Sequence, residues 1–127
     1  MDHAARQSLI ERYIAAYNAF DIDGMVALLH DEVRFENHAG GELTVATDGR
    51  EAFRALAEQS SGLFSTREQR VSGWQFGPDR TLVDIDYRGT LARDIPGGPV
   101  AGTVLELKGR SEFGFVGDRI AYLADHG

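Results

Sequence analysis

Apolar side chains at Ile10, Tyr13, Ile14 and Tyr17 recur at i, i+3, i+4 and i+7, with Glu11, Arg12 and Asn18 between them. That spacing stacks the first four on one face of a 3.6-residue helix and leaves the others outside. The next stretch repeats the pattern: Asp21 is placed to cap a second helix that buries Ile22, Met25, Val26 and Leu29. Val33 to Glu36 then alternates as a strand. Two amphipathic helices running straight into a strand suggest a cone around a pocket. Tyrosine hydroxyls on the inward helix face need hydrogen-bond partners there. A small-molecule carbonyl or carboxylate would serve as well as a protein group.

Turn residues at 37–41 end the first strand, and a short extended piece covers Leu43 to Ala46. Asp48 with Glu51 three positions on has the form of a capping box, opening a third helix with Phe53, Leu56 and Ala57 inward and Gly62 beyond its end. Four further strands are predicted at Gln69 to Phe76, Thr81 to Arg93, Val100 to Phe115 and Arg119 to His126, separated by glycine- and proline-containing turns. On the longest two, Val83, Ile85, Tyr87, Leu105, Leu107, Ser111 and Phe113 take one face, while Asp84, Asp86, Arg88, Glu106, Lys108, Arg110 and Glu112 take the other. The expected architecture is α+β: a cone-shaped, curved antiparallel or mixed sheet whose apolar face packs against three N-terminal helices. No repeat, linker or low-complexity segment divides residues 1–127, so one domain is expected.

The charge balance narrows the partners. With 20 acidic against 13 basic side chains the net charge is −7, which opposes non-specific attraction to nucleic acid or anionic lipid. The absence of cysteine excludes disulfides, thiolate nucleophiles and cysteine metal sites. The four histidines do not stand at recognised ligand spacing with acids, and neither GxGxxG nor GxxxxGK[ST] occurs, so no metal and no cofactor are expected. No apolar run reaches the length of a membrane span, and the opening residues lack the pattern of a leader, which makes a cytoplasmic protein the expectation.

The helix–helix–strand run, Gly49-Arg-Glu-Ala-Phe53 at the third helix and the closing Gly117-Asp-Arg-Ile-Ala-Tyr-Leu-Ala-Asp125 resemble the nuclear transport factor two-like superfamily over nearly the whole chain. That superfamily includes ketosteroid isomerase, SnoaL-like polyketide cyclases and scytalone dehydratase, and the scaffold hosts both unrelated catalysts and non-catalytic binders. Ketosteroid isomerase works with an aspartate base, plus a tyrosine and a protonated aspartate as oxyanion donors. Carried over by this resemblance, Tyr13 stands at the oxyanion tyrosine. The base position falls on Asn37, which cannot accept a proton at neutral pH, and the second donor falls on Ser111. Ketosteroid isomerase activity itself is therefore not expected. SnoaL-like proteins often carry an acidic residue near the end of the last strand, and Asp125 matches it; if Leu123 faces the cavity, alternation turns Asp125 the same way.

Each of these residues also has a plainer reading. Tyr13 could polarise a substrate carbonyl or bond a core carbonyl, and Tyr17, one turn on, has the more core-like place. Asp125 could be a pocket acid/base with a burial-raised pKa or a solvated terminal carboxylate. His38 could swing over the mouth as a base or be an exposed turn histidine. Asn37 and Ser111 would orient a ligand, or serve as a turn residue and a strand hydroxyl. Trp74, Tyr87, Leu107 and Phe113 could be pocket wall or core. The expectation is a pocket for a small apolar molecule with a polar handle, running cofactor-free acid/base chemistry of the isomerase, cyclase or dehydratase kind. The competing class is a non-catalytic binding or interaction domain of the same fold. The family habit and the mixed-charge strand faces imply a homodimer through the outer sheet face.

Overall fold

The computed structural model describes Met1–Gly127. The expected α+β architecture is present, as three helices and six strands. In chain order these are α1 (His3–Asn18), α2 (Ile22–Val26), β1 (Leu29–Ala39), β2 (Glu42–Asp48), α3 (Arg50–Ser61), β3 (Phe64–Phe76), β4 (Arg80–Leu91), β5 (Val104–Val116) and β6 (Arg119–His126). The strands form one sheet in the order β2-β1-β6-β5-β4-β3. Only β1 and β6 run parallel; every other neighbouring pair is antiparallel.

Helix α1 starts where the Asp2 side chain accepts from the Ala5 N–H at 2.7 Å, satisfying a donor that has no partner within the helix. Its apolar stripe goes inward as the periodicity requires, with Leu9, Ile10, Tyr13 and Ile14 buried. Asp21 caps α2 as expected, accepting from Gly24 N–H at 2.9 Å. The capping box at α3 does not form. The N-cap is Gly49, at φ 89 and with no side-chain bond to the helix, while the Asp48 carboxylate is taken by Arg34 across the β1–β2 pair at 3.0 Å. A left-handed φ of that kind suits glycine, which has no Cβ to clash. Helix α3 nevertheless buries Phe53 and Ala57, with Leu56 packed at the margin.

The inner face of the sheet carries Val83, Ile85, Phe113, Ile120 and Leu123, which join the buried helix residues in a core cluster of 17. Register irregularities at Val71/Gly73 in β3 and Gly114/Phe115 in β5 mark bulges, which bend and twist a strand locally. The N-terminal end is locked by Arg6, whose two terminal nitrogens donate to the carbonyls of Gly77 and Pro78 at 2.7 and 2.6 Å. His3 stacks on Phe76 beside it. The outer face is charged and paired across strands, Lys108 with Asp86 at 2.7 Å and Arg110 with Asp84 at 3.0 Å among them. No helix is long and apolar enough to cross a membrane.

Candidate functional site

A cavity of about 520 Å³ lies between the helices and the inner sheet face, lined mainly by apolar side chains with a few polar groups among them. That is the composition expected of a small-molecule site. Three polar residues stand in one row across its wall. Asn37 on β1 is the register partner of Asp125 on β6, and Asp125 is the partner of Ser111 on β5. Strand alternation turns all three to the inner face, where they line the cavity. The Ser111 hydroxyl donates to Asp125 Oδ1 at 2.7 Å. The Asn37 amide donates to Thr44 Oγ1 at 2.9 Å, and Thr44 in turn donates to the Asn37 carbonyl at 3.0 Å, so β2 fixes the orientation of Asn37.

Burial raises the Asp125 carboxyl above the ordinary aspartate value, partly offset by the Ser111 hydrogen bond and the nearby His126. Loss of hydration disfavours the charged form, while a donated hydrogen bond favours it. Tyr13 reaches the same cavity from α1. Its ring is buried edge-on against Phe113, with centroids 6.0 Å apart, and its hydroxyl is engaged by no protein group. Burial holds this phenol well above its usual pKa, and Asp125 pushes it further. It therefore keeps its proton throughout the neutral range and is available as a donor.

One helical turn on, the Tyr17 hydroxyl donates to the Tyr87 hydroxyl at 3.0 Å. Both phenols are raised, burial being the largest cause in each, and both also feel the positive charge of Arg67. Arg67, on β3, lines the cavity with only 6% of its surface exposed. Its Nε donates to the Tyr17 carbonyl at 2.9 Å. The guanidinium lies 3.7 Å from the Tyr17 ring centroid and 4.4 Å from that of Phe20. Phe20 holds that place at φ 58, a left-handed conformation that costs a residue with a Cβ roughly 1–2 kcal/mol. Two opposite charges act on the phenols of the cavity. Asp125 acts on Tyr13 and Tyr17, Arg67 acts on Tyr13, Tyr17 and Tyr87, and Arg67 is not among the groups that shift Asp125.

Of the residues singled out in the sequence, Tyr13, Tyr17, Asn37, Tyr87, Leu107, Ser111 and Asp125 line this cavity, Leu107 at a place where it is 56% exposed. Three do not. His38 faces the other side of the sheet, stacked on His126 at 4.6 Å with its Nε2 2.8 Å from Glu36 Oε1. That contact, together with Arg34, holds the Glu36 carboxyl below its usual pKa. Trp74 stacks on Phe76 near the start of α1, and Phe113 is wholly core beneath Tyr13. Arg67 was not anticipated, because the predicted strand began at Gln69. Extending the alternation of Val71 and Gln69 back by two positions would have placed Arg67 on the inner face. No grouping of histidines and acids is arranged to hold a metal ion.

Comparison with known proteins gives a consistent frame for this geometry. The model of the SnoaL-like domain matches residues 10–123. A search of curated protein sequences returns no match. Among solved structures, a candidate polyketide cyclase from Xanthomonas campestris pv. campestris superposes with a TM-score of 0.85 at 20% identity, covering 98% of this chain and 90% of that one. A candidate SnoaL-like polyketide cyclase from Jannaschia sp. CCS1 gives 0.81 at 14% identity, covering 96% and 84%. TerC, co-crystallised with polyporic acid, gives 0.77 at 14% identity, covering 95% and 89%. At these identities the likeness is one of fold.

Proposed function

Starting from the fact that this chain belongs to the SnoaL-like family, we propose that it is a cofactor-free acid/base catalyst acting beside a carbonyl of an apolar, ring-containing molecule. The observation that carries the reading is Asp125, a carboxyl raised by burial and held by Ser111 in the wall of the same cavity that receives the Tyr13 hydroxyl. A carboxylate poised nearer neutrality is a better general base than an ordinary aspartate. In the reaction the Asp125 carboxylate takes a proton from the carbon next to the substrate carbonyl. The C–H bond pair moves into the C–C bond, and the carbonyl pair moves onto oxygen, where the Tyr13 hydroxyl donates a hydrogen bond to the developing oxyanion. Return of the proton from Asp125 to another carbon gives an isomerase. Attack of the enolate on a second carbonyl, whose oxygen takes the proton from Asp125 as the new C–C bond forms, gives a cyclase, and departure of a β-hydroxyl as water with that proton gives a dehydratase. Asn37 orients the substrate beside Asp125. That candidate polyketide cyclases share the fold supports this class of chemistry.

The step common to all three outcomes is the test. Deuterium exchange at the activated carbon of 2-tetralone, followed by NMR in D₂O, should run faster with the wild-type protein than in buffer. It should return to the buffer rate with Asp125→Asn and slow about 10²–10³-fold with Tyr13→Phe, the usual worth of an oxyanion donor. Acceleration that survives Asp125→Asn, or none at all across a panel of bicyclic ketones, removes the catalytic reading and leaves a binding domain.

The assembly reading is a homodimer through the outer sheet face. Its support is the continuous ladder of β3, β4 and β5 on that side, where a shallow groove of about 320 Å³ runs between Glu68, Arg70, Asp86, Arg88, Glu106 and Lys108. Alternating charges of this kind are self-complementary under a two-fold axis.

A further inference from the structure

Arg67 has more hydrogen-bonding capacity than the fold uses. A guanidinium presents five N–H donors in a planar fork and stays protonated in proteins. Here Nε is spent on the Tyr17 carbonyl. Nη2 is fully buried with no acceptor, and Arg67 takes part in no ion pair, unlike Arg54 with Asp23 or Arg80 with Glu112. Leaving a buried donor unsatisfied is destabilising, the more so for a charged group. The clamp on Tyr17 explains why a cation stands at the end of α1, where the helix dipole favours it. It does not explain an unpaired, nearly buried cation in the wall of an apolar cavity beside two phenols.

We infer that Arg67, with the Tyr17 and Tyr87 hydroxyls, forms a subsite for an anionic oxygen, so that the polar handle of the ligand is a carboxylate carried on an apolar ring system. The geometry suits that group. The rings of Tyr17 and Phe20 hold the guanidinium carbon at 3.7 and 4.4 Å, and Nη1, neither bonded to the fold nor among its fully buried unpaired atoms, is the nitrogen left for a carboxylate oxygen. Burial gives each such bond more weight than it would have in water. The Tyr17–Tyr87 pair adds a phenolic proton at the same end, since Tyr17 donates to Tyr87 and Tyr87 has its own proton to give. The other end of the cavity holds Asp125 and Ser111. A ligand anchored at Arg67 would place its rings toward Tyr13 and Asp125, which also line the cavity. The protein's net charge of −7 slows the approach of anions at long range, and the local positive site then acts as a filter rather than an attractor. This subsite names the substrate class for the chemistry proposed above and rests on that reading only for the ligand's orientation.

The experiment is a binding comparison that needs no turnover. Wild-type protein is titrated by calorimetry with matched acid and amide pairs, 2-naphthoate with 2-naphthamide and anthracene-2-carboxylate with its amide. The acid of a pair should bind at least tenfold more tightly than the amide. Arg67→Gln should abolish that preference, Arg67→Lys should retain part of it, and Asp125→Asn should leave it in place. Because Arg67→Gln also loses the clamp on Tyr17, ¹⁵N signals of the Arg67 guanidinium in wild-type protein give a second readout, and they should shift on adding the acid and stay put on adding the amide. A panel in which no carboxylate outbinds its amide, or a preference that persists in folded Arg67→Gln, overturns the inference. Acid preference without any ketone exchange would keep the subsite and remove only the catalysis.

Discussion

Tyr13 and Tyr17 stand one turn apart on the same helix face, yet the same substitution should affect them differently. The Tyr13 hydroxyl is engaged by no protein group, and its ring is held by burial and by the edge-on contact with Phe113. Phenylalanine keeps the ring and that contact, and no acceptor is orphaned. Tyr13→Phe should therefore change stability by less than about 1 kcal/mol in either direction. The Tyr17 hydroxyl donates a 3.0 Å hydrogen bond to Tyr87, so Tyr17→Phe removes one intramolecular bond, worth roughly 0.5–1.5 kcal/mol. With a urea dependence of about 1–3 kcal/mol per molar for a chain of this size, Tyr17→Phe should lower the wild-type midpoint by a few tenths of a molar or more. Urea titrations followed by tryptophan fluorescence measure it, since Trp74 is the single tryptophan. In the ketone exchange assay the order should reverse, Tyr13→Phe being the more damaged. The reasoning fails if Tyr13→Phe loses roughly 1–3 kcal/mol, because that loss is the signature of a buried acceptor left unpaired.

Asp125→Asn should stabilise the protein near neutral pH. Its folded pKa is raised, so wild type loses stability as the pH climbs from the unfolded value, about 3.9, through the folded one, and the variant does not. The difference in urea midpoint between the two should close below about pH 4 and open above it; a constant difference would reject the assignment. Arg6→Met should destabilise by on the order of 1.5–3 kcal/mol through loss of its bonds to the Gly77 and Pro78 carbonyls, with ligand binding intact, as denaturation and calorimetry together would show. Light scattering at micromolar protein should give twice the 13.9 kDa chain mass, and the mass should halve when Lys108 and Arg110 are both changed to Glu; a monomer in wild type rules out the dimer.

The helices and the two faces of the sheet could be read from the chain because burial there follows a fixed period. The inner placement of Asp125 with Leu123, and of Ser111 with Phe113, follows from alternation alone. The same parity could have moved His38 off the site, since Phe35 faces inward and His38 lies an odd number of positions along. What parity could not supply was the division between wall and core. Trp74 and Phe113 have the right face but lie toward the end of the sheet that α1 covers, and that depends on where bulges bend the strands. The failure of the capping box has a similar cause. Asp48 satisfied the local rule for α3, but a partner 14 positions back, Arg34, took its carboxylate through strand pairing. Arg67 was missed because the strand was started two residues late; parity puts it on the inner face, and the rings of Tyr17 and Phe20 enclose it there.

The one parallel pairing in the sheet joins its first strand to its last, and this has a consequence for how the protein folds. Strands β1 and β2, and likewise β3, β4 and β5, can pair with near neighbours in sequence, so each group closes over short loops. Strand β6 joins the second group through the tight turn after β5, and that group must then dock on β1, with about 90 residues between Leu29 and its partner Ile120. Contacts of that separation form late, because the entropy of closing the loop is lost before the pairing returns anything. Ser111 and Asp125 are aligned by the β5–β6 hairpin, and Asn37 joins them only through this docking. The alignment of Asn37 with Asp125 would thus be the last part of the cavity wall to assemble in refolding, and the first to come apart when the sheet opens between β1 and β6.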